Sequence, residues 1–277
     1  MCFTLIKGTF HVKGYSPDGD SIKFKAKTKA NWLKIRGNVK LNSKSHAQLR
    51  FESIDTLETH YKRRHQPDRF AHGAMYSLLD ELGITDVKWN SNMTRVTQAK
   101  DGAQGYILCR EVERYGRPVA FAFKGDTDLK DGSSVWFDDQ LLKQSMNYHL
   151  VKEGMAYVTY YSGLFDDLRS TMTSGYIDAK NGQKGLHAED RTESGFTVRG
   201  INSLQKDHVI LPKLFRRLVS HIDSGGFMRN FKSELAVNPE KVLLVNRGHF
   251  INFHNLVDVS GNEVKLNHPI EDVVFVG

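Results

Sequence analysis

The sequence predicts an α+β protein. It calls for a Greek-key β-barrel of about five short strands with three helices interspersed, then a smaller, mostly β C-terminal unit with one helix. Three observations support this. Apolar residues alternate with period two through "FTLIKGTFHVKGY" and "SIKFKAKT". Helical spacing bounded by start and stop residues appears after residue 66 and again further on. Between Glu189 and Ser194 the chain turns polar, "EDRTESG", which places a linker between a domain over 1–190 and an accessory domain over 195–277.

In order along the chain, "SPDGDS" is a turn between the first two strands. Ile22 and Phe24 face the core, while Lys23, Lys25 and Lys27 face outward. "WLKIRGNVKL" reads as a further hairpin turning at Gly37-Asn38. "AQLRFESID" is a strand ending in a cluster of carboxylates. Pro67 and Asp68 start a helix that Gly83 stops, with Phe70, Ala74, Ser77, Leu78 and Glu81 at helical spacing. "DVKWN", "GYILCREVER" and "RPVAFAF" return to strands. A second helix runs roughly from Phe137 to Glu153, "MAYVTYY" is a short apolar strand, and a third helix spans Leu164 to Asn181. In the last part a helix begins at Pro212, with Phe215, Leu218, Val219 and Ile222 on one face. Strands follow, turning at Arg247-Gly248 and Gly261-Asn262.

With 277 residues, 39% of them hydrophobic, the chain can bury one sizeable core or a main domain plus a small one. No run approaches the roughly 20 apolar residues of a membrane span, and the N-terminus reads as a strand and not as a signal peptide. A cytoplasmic protein is expected, with a secreted form whose leader has been removed as the alternative. Cys2 and Cys109 read as free thiols, although one disulfide stays open. The net charge of +7 points toward an anionic partner, either nucleic acid or an anionic membrane surface, with mere solubility as an equal alternative on charge alone. Its distribution sharpens this: Lys23, Lys25, Lys27, Lys29, Lys34, Arg36, Lys40 and Lys44 form an uninterrupted basic series.

Four short pieces carry chemistry. "PDGDS" supplies Asp18 and Asp20, and "RFESIDTLE" supplies Arg50, Asp55, Thr56 and Glu58. "RYGR" supplies Arg114, Tyr115 and Arg117, and "MNYHLVKEGMA" follows. Any one of them could be an ordinary turn or strand end. In this order, with the R-x4-D-T-x-E spacing intact, they resemble the staphylococcal-nuclease-like (thermonuclease) family over residues 5–190. The resemblance implies an OB-fold barrel and hydrolysis of DNA and/or RNA with little sequence specificity, leaving 3′-phosphate ends. The residues suit that chemistry. Asp20 and Asp55 are hard oxygen ligands, and the resemblance adds the Thr56 carbonyl and implies Ca²⁺, with Mg²⁺ or another divalent cation as the alternative. Glu58 would orient and deprotonate the attacking water. Arg50 and Arg117 would grip phosphate oxygens with planar forks. Arg114, Tyr115 and Asp18 would bind the substrate, and the basic series would follow its backbone.

The chain departs from the family's pattern at Leu57, where the family has proline, at Ser21 in place of threonine, and at His187, where tryptophan is usual. Longer segments follow Asp20 and precede the second helix. Two other functions compete with the nuclease. One is a nucleic-acid-binding module without catalysis; the other is a regulated nuclease, used for instance against foreign nucleic acid and gated by the C-terminal unit. That unit's Lys213, Arg216 and Arg217 could touch nucleic acid, and the unit could equally mediate homo-oligomerisation.

Overall fold

Alternating burial shapes the N-terminal strand: Leu5, Ile6 and Phe10 are fully buried, and Lys7 and Thr9 are partly exposed between them. The structure, a computed structural model, describes residues 2–276. It divides into two compact units, Met1–Glu52 with Ala74–Leu150, and Ser53–Gly73 with Val151–Gly277. The C-terminal residues expected to stand alone belong to the second of these.

In the first unit, β1 (Cys2–His11), β2 (Lys23–Ala26), β3 (Ala47–Gln48), β4 (Arg50–Phe51), β5 (Ala103–Val112), β6 (Pro118–Lys124) and β7 (Ser134–Trp136) make one sheet. Its order is β3-β2-β1-β5-β6-β4, with β7 also on β1. All pairs are antiparallel except β4 with β6. The two ends of the path, β3 and β4, are separated by Leu49 alone, so the sheet nearly closes into a barrel. Tight curvature is permitted where Gly8 faces Gly105. A Cβ on Gly8 would lie 2.1 Å from the Lys25 carbonyl oxygen, and one on Gly105 would lie 2.3 Å from that of Phe123. Phe3, Phe121 and Phe137 pack edge-on or tilted inside.

The helix α1 (Asp68–Leu82) ends at Gly83, whose φ of +77° suits glycine. Its buried stripe is Ala71, Ala74, Met75, Leu78, Leu79 and Leu82. Of the residues at helical spacing, Ala74 and Leu78 belong to this stripe, while Phe70 and Ser77 are only half-buried and Glu81 pairs with Lys124. Residues 32–41 form no hairpin. Lys29–Lys34 is a 3-10 helix anchored by buried Trp32, which meets Phe24 edge-on. The following backbone is used against β5 instead: Arg36 N–H donates to the Arg110 carbonyl, and Val112 N–H donates to that of Arg36. The expected helix over 137–153 is two short ones, Asp139–Leu142 and Met146–Lys152, broken where Ser145 turns its hydroxyl back onto the Leu142 carbonyl.

In the second unit, Ile54–Thr56 pairs antiparallel with Ala156–Val158. Val273–Phe275 is flanked by Tyr160–Tyr161 and Lys241–Leu244, and the latter turns into His249–Asn252. A third sheet joins Phe196–Thr197, Glu263–Leu266 and Val257–Ser260. The longer α-helices are α2 (Asp166–Asn181) and α3 (Pro212–Asp223), with three shorter α-helical segments, Ile201–Lys206, Phe231–Val237 and Phe253–Leu256, among the described residues 201–256. The C-terminal part thus carries more helix than its sequence pattern suggested, since short segments such as Phe231–Val237 have too few turns to show a period. Cys2 and Cys109 are free thiols, and burial pushes the Cys109 thiol pKa up. No helix among the described residues is long and apolar enough to cross a membrane.

Candidate functional site

In the first unit the "RYGR" piece is the turn joining β5 to β6. Gly116 has φ +84°, and a Cβ there would lie 2.7 Å from Lys40 Cβ. Any other residue would be strained and would collide. One carboxylate oxygen, Glu113 Oε1, organises the turn. It accepts from Tyr115 N–H at 3.0 Å, from Arg117 N–H at 3.2 Å and from Arg117 Nε at 3.1 Å. Arg117 is thereby oriented by a neighbour four residues away. Tyr115 is 59% exposed, with the guanidinium carbon of Arg114 4.8 Å and that of Arg117 5.9 Å from its ring centre. Lys40 N–H donates to the Gly116 carbonyl at 2.9 Å, which ties the basic segment to the turn. The expected substrate-contacting residues Arg114, Tyr115 and Arg117 are therefore gathered with part of the basic series.

Asp18 sits in the "PDGDS" turn, where its Oδ1 accepts from Gly19 N–H at 2.9 Å and its backbone bridges to Ser21. The Asp20 carbonyl accepts from Phe51 N–H at 2.8 Å, so this turn is fixed beside β4, which carries Arg50. Asn147 stitches the same region. Its Nδ2 donates to the Glu52 carbonyl at 2.9 Å and to the Ala120 carbonyl at 3.1 Å, and its Oδ1 accepts from Ala122 N–H at 3.1 Å. The asparagine of "MNYHLVKEGMA" thus works structurally.

The remaining motif residues belong to the second unit. Asp55 and Thr56 lie on the Ile54–Thr56 strand, buried at 1% and 2% exposure, and Glu58 follows them. Leu57, in the place of the family's proline, is fully buried. Gln66 clamps this stretch. Its Oε1 accepts from Glu58 N–H at 3.2 Å, its backbone N–H donates to the Glu58 carbonyl at 2.9 Å, and its Nε2 donates to the Ile210 carbonyl at 2.7 Å.

Asp55 and Glu58 converge on one cation, and that cation comes from the chain itself. Arg216, on α3, donates from Nη1 to Asp55 Oδ1 at 3.1 Å and from Nη2 to Asp55 Oδ2 at 2.7 Å. The same Nη1 also pairs with Glu58 Oε1. Burial alone would lower the Arg216 pKa, but the charges of Asp55 and then Glu58 outweigh it and hold the guanidinium firmly protonated. The other two cations expected to reach nucleic acid are also engaged: Lys213 and Arg217 both pair with Glu240. All three are tied within the fold because α3 presents them to carboxylates of its own unit. The apolar pattern of α3 flagged the helix, yet nothing local in the sequence points from Arg216 to a carboxylate 161 residues earlier.

Asp55, one of the two carboxylates that the resemblance assigns to a divalent cation, is thus poorly arranged for one. Both Asp55 oxygens already face a guanidinium, and a metal at oxygen-ligand distance on that side would stand against a fixed positive charge. The Asp55 carboxylate as arranged does not fit Ca²⁺. His187 packs edge-on against Tyr176 at 4.8 Å and Tyr157 at 6.5 Å between ring centres, so an aromatic ring is kept where the family has tryptophan. Burial, and then the charge of Lys180, lower its pKa to about 4.

No protein-family model matches the chain, and a search of curated proteins finds no match either.

Proposed function

We propose that the chain is a phosphodiester hydrolase acting on nucleic acid. The observation that carries this reading is the convergence of Asp55 and Glu58, the two carboxylates of the R-x4-D-T-x-E segment, on a single positive group. Support comes also from the sheet order. The sheet nearly closes, its one parallel pair is β4 with β6, and α1 lies in the chain between β4 and β5, an arrangement compatible with a five-stranded Greek-key barrel of the OB type. The turn with Tyr115 between two arginines suits a sugar or base stacked over a phosphate backbone.

In this reading Arg50 and Arg117 hold the phosphate oxygens and stabilise the charge gained in the transition state. Glu58 takes a proton from water, the water oxygen bonds to phosphorus in line, and the bond to the 5′ oxygen breaks, that oxygen taking up a proton from solvent. The products are a 3′-phosphate and a 5′-hydroxyl. Cleavage of single-stranded DNA, duplex DNA and RNA by the wild type and by Glu58→Gln tests this. The variant is expected to lose about 10²–10⁴-fold in rate. Equal rates in both proteins would reject Glu58 as the base.

The second reading is a binding module without hydrolysis. It is favoured by the same pairing, since carboxylates held by Arg216 are no longer bare ligands. Salt-sensitive binding shared by both proteins, with no cleavage by either, would select it.

A further inference from the structure

We infer that Arg216 is the resident cation of the Asp55–Glu58 pair, and that this pair takes no divalent metal. The chemistry rests on the phosphodiesterase reading above, whereas the metal-binding prediction does not.

The first ground is geometric. A guanidinium is a permanently charged planar fork that matches a carboxylate edge, and Arg216 meets Asp55 with both terminal nitrogens, at 3.1 and 2.7 Å, while sharing one of them with Glu58. One arginine therefore does for two carboxylates what a hard cation would do. It neutralises charge and fixes both orientations.

The second ground is that Arg216 is built in and does not merely rest there. On α3 the neighbouring side chains Lys213, Leu214, Phe215, Leu218 and Val219 are buried. The helix is also fastened to the segment after Asp55 on both sides of Arg216. Before it, the Ile210 carbonyl accepts from Gln66 at 2.7 Å. After it, Ser220 Oγ meets Tyr61 Oη at 3.3 Å and Lys62 Nζ at 3.1 Å, and Asp223 pairs with Arg64 at 3.2 Å. Withdrawing Arg216 means peeling this whole strip, which a transient plug would not require. Arg216 acts through Asp55 and Glu58, so it is a positioning residue.

The test is calcium titration calorimetry on the full chain, run beside cleavage of single-stranded DNA in excess chelator. The proteins are the wild type, Arg216→Gln, Arg216→Lys and Asp55→Asn. Wild type is expected to show no calcium uptake that Asp55→Asn removes, and its cleavage is expected to persist in chelator. Arg216→Gln is expected to gain calcium binding and to lose about a hundredfold or more of the chelator-resistant rate. Arg216→Lys, which keeps charge but not the fork, should recover only part of that rate. Asp55-dependent calcium binding by the wild type, or cleavage that chelator abolishes and calcium restores, would overturn the inference. If no protein cleaves anything, the phosphodiesterase reading fails, and the calcium titration still decides the role of Arg216. If Asp55→Asn does not fold, Glu58→Gln, which leaves the Arg216–Asp55 fork in place, serves as the comparison for uptake at this pair.

Discussion

Two arginines of this molecule hold carboxylates in opposite ways. Arg117 meets Glu113 across a four-residue turn, with the side chains 31% and 19% exposed. Arg216 meets Asp55 from 161 residues away, and Asp55 is 1% exposed. The first pair is local and partly solvated, so its contribution is screened and small. The second is buried at one end. Desolvation makes such a pair of uncertain net benefit, but removing either partner strands a buried charge. The difference teaches where to look for dependence. The turn can lose its ion pair and keep its shape, whereas the Asp55 strand cannot lose Arg216 without consequence.

The largest expected effect tests that contrast directly. Arg216→Ala should destabilise the chain by about 3–5 kcal/mol in denaturant unfolding. Adding Asp55→Ala to it should cost less than the sum of the two single changes, because the double variant no longer buries an unpaired charge. Additive losses would dissolve the claimed pairing. Phe215→Ala, next to Arg216 on α3 and fully buried, should cost about 3–5 kcal/mol through its cavity. A loss as small as a surface substitution would mean that the helix does not hold Arg216 in place.

An intermediate effect sharpens the comparison with a titratable group of the second unit. His187 is held neutral in the fold down to about 4, against an ordinary 6.5. The unfolded chain binds the extra proton as pH falls through 6.5, so stability should drop between about 6.5 and 4 and be fully present above that window. Melting temperature against pH should show that acid limb in the wild type, and a flatter one in His187→Trp. Identical curves would remove His187 from the account. The smallest effect is expected at the exposed pair. Glu113→Gln should change stability by about 1 kcal/mol or less, since the amide oxygen can still accept from the Tyr115 and Arg117 backbone N–H groups.

The same contrast explains what the sequence revealed. Period-two burial in β1 and the Pro67 and Gly83 signals around α1 were legible because strands and helix ends are written in neighbouring residues. The "RYGR" turn was legible too, since its glycine and its ion pair lie within five residues of one another. "WLKIRGNVKL" misled because its turn signal was real while its partner strand was elsewhere: Arg36 donates its N–H to the Arg110 carbonyl and accepts from Val112 N–H, across a stretch that no local pattern connects. Arg216 was hidden for the same reason. Within α3 it reads as an ordinary polar position beside an apolar face, and only the demand of two neighbouring carboxylates for a cation could have pointed to it.

The barrel's closure through Leu49 has a kinetic corollary. Because β3 and β4 are consecutive pieces of one extended segment, neither end of the path from β3 to β4 can peel away independently of the other. Local opening there should release both ends together, so the amides of residues 47–51 should exchange with solvent deuterium as one cooperative block, protected as well as the centre of β1. A one-residue deletion at Leu49 would shift the pairing register at both ends in a single step.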